Sequence, residues 1–286
     1  MQRSNRIAAG VIGVIAGGLL LFAIVRAMPA RSRPPAGNTA DKTVVSHGEV
    51  ADDTLQELDK DAIAELERMG TYLRTLKAFQ LKADVVTEDV RTDGQKVQII
   101  RAVDLVAQRP NRLFADVRND RQRRLFFYDG AHFTLYAPRS TYYATVAAPP
   151  TIEKLADNLE DKYAIELPLV DLFRWGTPEA DTRAITSAVN LGPSAINGVT
   201  CQQYGFRQEG IDWQLWIQRG ENPLPCRIVI TTLTDPARPQ HTATYTWNLA
   251  PSFDERTFAF EAPSDAKPIP FAEVQTVASS SQSGQK

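Results

Sequence analysis

The chain has 286 residues, a formal charge of -2 at pH 7, 43% hydrophobic residues and 23% charged residues. That balance belongs to a globular chain able to bury a sizeable core, and it excludes wholesale disorder. A near-neutral charge supplies no long-range attraction for nucleic acid, so no nucleic-acid partner is expected.

At the N-terminus, Arg3 and Arg6 precede residues 7–25 (IAAGVIGVIAGGLLLFAIV), an uncharged apolar run of nineteen residues. A signal-peptide core runs to about 7–15 residues and a spanning helix needs about 20, so this run lies between the two. Val25 and Ala27 read as a small-residue cleavage site, but Arg26, Arg31 and Arg33 follow at once and blur the orientation rule. Residues 1–27 are therefore either a removed signal peptide or a transmembrane anchor in the inner membrane. Both readings export the rest of the chain to the periplasm. No cysteine lies near residue 25, which excludes a lipidated N-terminus. Residues 28–50, rich in Pro, Ala and polar side chains, read as a flexible linker.

A domain over residues 51–265 follows. Asp52 or Asp53 offers an N-cap for a helix running to about Lys77. Leu55, Leu58, Ala62, Leu66, Met69, Leu73 and Leu76 recur at spacings of three and four, the mark of one apolar face packed on a sheet. From Phe79 the period changes to two: Phe79, Leu81, Ala83 and Val85 alternate with polar residues, and Thr92-Asp93-Gly94-Gln95 is a hairpin turn. Val97, Ile99, Val103 and Leu105 continue the pattern, then Leu113, Ala115 and Val117, and then Phe133, Leu135 and Tyr136 beyond Asp129-Gly130. Further strands are predicted over 199–208, 211–219, 225–233 and 240–249. Short strands joined by Asp-Gly, Asn-Gly and Glu-Gly turns predict an α+β fold dominated by one antiparallel meander. The meander is interrupted once. Residues 151–163 place Ile152, Leu155, Leu159 and Tyr163 on one helical stripe, and residues 167–175 (LPLVDLFRW) are unusually apolar for a connection. Residues 266–286 are polar and Ser-rich and read as a disordered tail.

No constellation for catalysis is present: no nucleophile elbow, no metal-protease pair and no phosphate-cradling glycine loop. His47, His132 and His241 are scattered, and the pairs Asp52-Asp53 and Glu160-Asp161 fit solvated helical turns better than an acid/base dyad. The chain is accordingly read as a non-enzyme without cofactor or metal. Cys201 and Cys226 are the two cysteines and a candidate disulfide for an oxidising compartment. Against the bridge, a meander would put a third strand between them, a separation of about 9–10 Å that exceeds disulfide reach. The bridge stays open. Arg109, Arg112, Arg118, Arg121, Arg123 and Arg124 crowd one hairpin region; they suit either anionic headgroups or a solvated strand edge that resists edge-to-edge pairing. Trp213 and Trp216, three apart in a strand, must face opposite sides. With Tyr204, Phe206, Tyr245 and Trp247 they supply more bulk than a flat sheet needs, which suits a curved sheet around a ligand space.

Three segments resemble the periplasmic outer-membrane lipoprotein carriers, the LolA/LolB-like superfamily, in an uncharacterised predicted periplasmic branch. They are Arg109-Pro110-Asn111 opening a strand, Asp129-Gly130 leading to Tyr136-Ala137-Pro138, and the closing Phe258-Ala259-Phe260-Glu261-Ala262-Pro263. In order and spacing they span roughly residues 55–270. The resemblance implies a curved, half-open β-barrel with covering helices that act as a lid over a cavity for acyl chains. It implies that Arg109 latches the lid by hydrogen bonds to lid backbone and that residues 151–175 are the lid. Leu169, Leu172 and Phe173 of that lid, with Trp213, Trp216 and Trp247, are the candidate ligand-binding residues. The expected function is non-catalytic binding of an acyl chain, lipid, lipoprotein or other apolar envelope ligand. The alternative is a membrane-tethered envelope sensor or assembly protein that binds a protein partner through the same fold.

Overall fold

The computed structural model describes residues 58–273, apart from residue 179. The apolar run 7–25 and the linker lie outside the described residues, among which no helix is long and apolar enough to cross a membrane.

Helix α1 (Lys60–Thr75) starts where the Asp59 carboxylate accepts the backbone N–H groups of Asp61 and Ala62. Its stripe of Ala62, Leu66, Met69 and Leu73 is buried. The expected N-caps Asp52 and Asp53 lie outside the described residues. Leu58 leaves the expected stripe: it forms an isolated parallel bridge with Ala188 and is 42% exposed.

Two meanders follow. The first is β1 (Ala78–Val90), β2 (Lys96–Gln108), β3 (Arg112–Arg118), β4 (Arg123–Tyr128), β5 (His132–Ala137) and β6 (Tyr142–Ala147). Helices α2 (Ile152–Tyr163) and α3 (Asp171–Arg174) interrupt the chain. The second meander is β7 (Ile185–Ile196), β8 (Val199–Gln208), β9 (Ile211–Gln218), β10 (Pro225–Thr232) and β11 (Gln240–Asn248). They join because the first strand pairs with the last: β1 and β11 run antiparallel, with Leu81 opposite Trp247 and Val85 opposite Ala243. A two-residue strand β12 (Lys267–Pro268) adds in parallel to β6, giving one twelve-stranded sheet that stays open between β7 and the β6/β12 edge.

One face of this sheet is buried. Phe79, Leu81, Ala83 and Val85 of β1, Val103, Leu105 and Ala107 of β2, and Trp213, Leu215 and Ile217 of β9 belong to a single core with α1, α2 and α3. For strands from both halves to share that core, the sheet must wrap around the helices, which is the half-open barrel expected above. The outer face of β4–β6 is covered too. Phe260 packs 5.3 Å from Phe127, 5.4 Å from Tyr136 and 4.9 Å from Tyr143, ring centre to ring centre. The chain then rounds the β6 edge and stacks Phe271 on Phe133 of the inner face at 6.1 Å. The disordered tail expected from residue 266 therefore starts too early: residues 267–271 are strapped to the sheet, because Phe271 has apolar surface to bury there.

Cys201 and Cys226 are free thiols whose Sγ atoms lie 2.8 Å apart. The inter-strand separation argued from the sequence is thus corrected. Strand β9 ends at Gln218, opposite Cys201, and a bulge between Pro225 and Arg227 lets Cys226 reach past that end.

Candidate functional site

The interrupting segment forms a flap over one end of the inner face. Thr151 caps α2 by accepting the Lys154 N–H, and Ile152 N–H donates to the Pro110 carbonyl, which ties the flap to the β2–β3 turn. The Ile152, Leu155 and Leu159 stripe faces the core. A turn with Leu169 at φ +57 leads into α3.

Arg109 enters this seam from the end of β2. Its Nη1 donates to Glu153 in the first turn of α2, and its guanidinium lies 5.2 Å from the ring centre of Phe173 on α3. Arg74, in the last turn of α1, donates to the same Glu153 oxygen at 2.6 Å and to the Phe173 carbonyl at 3.4 Å. The bond to flap backbone expected of Arg109 is therefore made by Arg74, because the strand end places Arg109 beside the α2 carboxylate instead. Burial alone would raise the Glu153 carboxyl. The hydrogen bonds from its own backbone and Arg74, with the charges of Arg109 and Arg74, outweigh that and hold it below its ordinary value. For Arg109, burial and the Arg74 charge outweigh Glu153 and lower its pKa. Arg109 Nε and Nη2 are buried and have no hydrogen-bond partner among the described residues.

Beneath the latch, Leu172 and Phe173 are buried to 1% and 0% exposure. Phe173 lies 5.9 Å from Phe79, which lies 5.3 Å from Trp247. Trp247 Nε1 donates to the Pro225 carbonyl at 2.8 Å. Arg109, Leu172, Phe173 and Trp247 thus converge, with half-buried Leu169 at the hinge of α3. Trp213 is on the inner face but further along the sheet, stacked 4.3 Å from Phe206. Trp216 faces the other way and is not part of the enclosed space. Register places it beside Gln203 on the outer face, where its Nε1 donates to Ser194 Oγ at 3.2 Å and Arg227 lies over its ring.

Leu155, Leu159, Leu172 and Phe173 of the interrupting segment are buried in one core with the inner face of the sheet. A cleft of about 320 Å³ runs along the neighbouring seam of α1 and the α3–β7 connection, lined by Leu66, Thr71, Trp175, Gly176 and Ile185 among others. The indole N–H of Trp175 is buried without a partner among the described residues, and so, at the start of α3, is one carboxylate oxygen of Asp171. Sequence reasoning missed Arg74 and Glu153. Both sit in helix end turns, where charge is ordinary, so only their meeting across 79 residues reveals a role. No group of three or more His, Cys, Asp or Glu residues able to hold a metal occurs among the described residues.

An open antiparallel sheet wrapped around a latched helical flap defines a half-open β-barrel scaffold. Residues 62–272 match the family of predicted periplasmic proteins DUF2092, and the chain belongs to that family, in agreement with the export expected from its N-terminus. No curated protein matches the sequence. Among solved structures, it is similar to LprF from Mycobacterium bovis (14% identity, 73% of this chain and 99% of that one, TM-score 0.42). It is also similar to an uncharacterized conserved protein from Thermus thermophilus (10% identity, 74% and 99%, TM-score 0.40). A LolA superfamily protein from Nitrosomonas europaea is a third (12% identity, 70% and 97%, TM-score 0.32).

Proposed function

We propose that the protein is a non-catalytic periplasmic binding protein that takes up an acyl chain, lipid, lipoprotein or other apolar envelope ligand between its sheet and its flap. The observation that carries this reading is the incompletely satisfied latch. Two Arg109 donors are buried without partners among the described residues, and each such group costs about 1–3 kcal/mol relative to its hydrated state. Lifting the flap hydrates them and exposes the apolar surface that Leu172 and Phe173 now cover. Reburying those two side chains is worth about 1.5–3 kcal/mol each, so an apolar guest in their place restores a comparable stabilisation. Native mass spectrometry of the full chain purified from envelope extracts is expected to show a co-purifying lipid. Repeatedly empty preparations that also refuse added fatty acid would refute the reading.

A second reading, a tethered sensor or assembly protein, has one observation in its favour. Strand β7 ends the sheet, and beyond Asn190, where the contacts of Leu58 and Asp59 stop, it exposes Leu191 (50%), a stretch of edge suited to an added strand. A protein partner retained by delipidated protein and lost in Leu191→Lys would favour it.

A further inference from the structure

The arginine cluster of β2–β4 divides by face. On the outer face, each arginine has a carboxylate: Arg118 meets Asp104 at 2.7 Å and Asp116 at 3.0 Å, and Arg123 meets Asp116 at 2.9 Å. Register places two others on the inner face. Arg101 lies opposite Val85, which is buried in the core, and Arg124 lies opposite Val117, which packs against it. Neither Arg101 nor Arg124 has a carboxylate partner among the described residues. Arg101 Nη1 reaches only Thr87 Oγ1, at 3.4 Å, and Thr87 Oγ1 also contacts His241 Nδ1 at 3.1 Å. The two guanidinium groups are close enough that the charge of Arg124, after burial, lowers the pKa of Arg101. Burial and the Arg101 charge push His241 down to about 4, so it adds hydrogen-bonding capacity and no charge at neutral pH. Two half-buried like charges with no counterion, facing the interior of an otherwise apolar sheet, are unfavourable unless an anion joins them.

We propose that Arg101 and Arg124, with Thr87 and His241, form an anion site on the inner face, and that the ligand is an amphiphile whose phosphate or carboxylate headgroup sits there. This rests on the apolar-ligand reading above and names the ligand class. From Thr87 to Phe79 the inner face of β1 runs past Val85, Ala83 and Leu81, about 27 Å at 3.4 Å per residue. The path has a cationic end, a stretch of aliphatic side chains and an aromatic end under the flap, which matches a headgroup followed by an extended acyl chain.

The test titrates the full chain with dioleoyl phosphatidic acid, dioleoylglycerol and inorganic phosphate. The two lipids carry the same chains and differ in charge. Phosphatidic acid is expected to bind at least about tenfold tighter, since each charge-assisted hydrogen bond is worth about that factor. The double variant Arg101→Gln/Arg124→Gln removes that preference and leaves dioleoylglycerol unchanged, while Arg101→Lys/Arg124→Lys keeps most of it. Raising ionic strength weakens phosphatidic acid alone in the wild type, a readout that needs no variant to fold. Equal binding of the two lipids, or an unchanged preference in the Gln variant, overturns the headgroup site and leaves the apolar-ligand reading standing. Inorganic phosphate binding as tightly as phosphatidic acid assigns the site to a free anion and overturns the amphiphile. Binding of neither lipid overturns the apolar-ligand reading itself.

Discussion

Arg109 brings a full charge into the flap seam with only Nη1 matched, while Glu153 keeps Arg74 as a second partner. Arg109→Leu therefore removes one ion pair and two unmatched donors together, and these effects oppose one another. Thermal stability is expected to change by about 1 kcal/mol or less, while release of a bound fluorescent fatty acid accelerates about tenfold or more. A large drop in melting temperature with unchanged release would make Arg109 a structural residue. Asp171 sets a second expectation. Burial, opposed by Arg174 and reinforced by Glu160, pushes its carboxyl up to about 7 from 3.8. Folding thus favours the protonated form, and the stability this gives is fully present below pH 3.8 and lost as pH rises toward about 7. Asp171→Asn keeps the shape without the charge, so its melting temperature should exceed the wild type's at pH 8 by more than at pH 5. An equal offset at both values would mean that Asp171 is already ionised at pH 5 in the folded protein, so that burial does not raise its carboxyl. The Trp213 and Trp216 alternation was legible from spacing alone, whereas the Arg74–Glu153–Arg109 contact was not, since each residue alone looks like an ordinary surface charge.

At the scale of elements, helix α1 and the exit from α3 cross at two glycines. A Cβ on Gly70 would lie 2.6 Å from Gly176 N, and one on Gly176, itself at φ +77, would lie 2.4 Å from Gly70 O. Gly70→Ala must push the flap exit off α1, at an expected cost of about 1–3 kcal/mol measured by urea denaturation. A variant as stable as the wild type would show that this crossing yields without strain. Strands β8 and β10 give another expectation through their paired thiols. We propose that oxidation with a disulfide donor joins Cys201 to Cys226, the thiols giving up two protons and two electrons to the donor. Closing a loop across 25 positions should stabilise the protein by about 3 kcal/mol, lost again on reduction. An oxidised sample that still titrates two thiols after unfolding would exclude the bond. Helix α2 and strands β8 to β11 were legible to within a residue, because long runs kept one period between clear turns. Strand β7 was not read: Gly192 and Pro193 sit inside it, and two register shifts break its alternation. Helix α3 is four residues within an apolar run, too short for a period to show.

For the whole molecule, the decisive pairing is β1 with β11, which joins residues about 160 positions apart and merges two meanders into one sheet. Its ends stay unpaired with each other, so the scaffold remains open and its helices supply the cover. The sequence by itself determined the helix stripe, the change of period at Phe79 and the apolar interruption between the two halves of the sheet. Those are local properties, written in the spacing of neighbours. Tertiary structure alone decided that Arg74 and Arg109 share Glu153, that Cys201 and Cys226 meet past a strand end, and that Arg101 and Arg124 face inward without a carboxylate partner among the described residues. Each of these depends on strand register and on contacts between distant segments, and a one-residue change of register would turn every side chain of a strand to its other face.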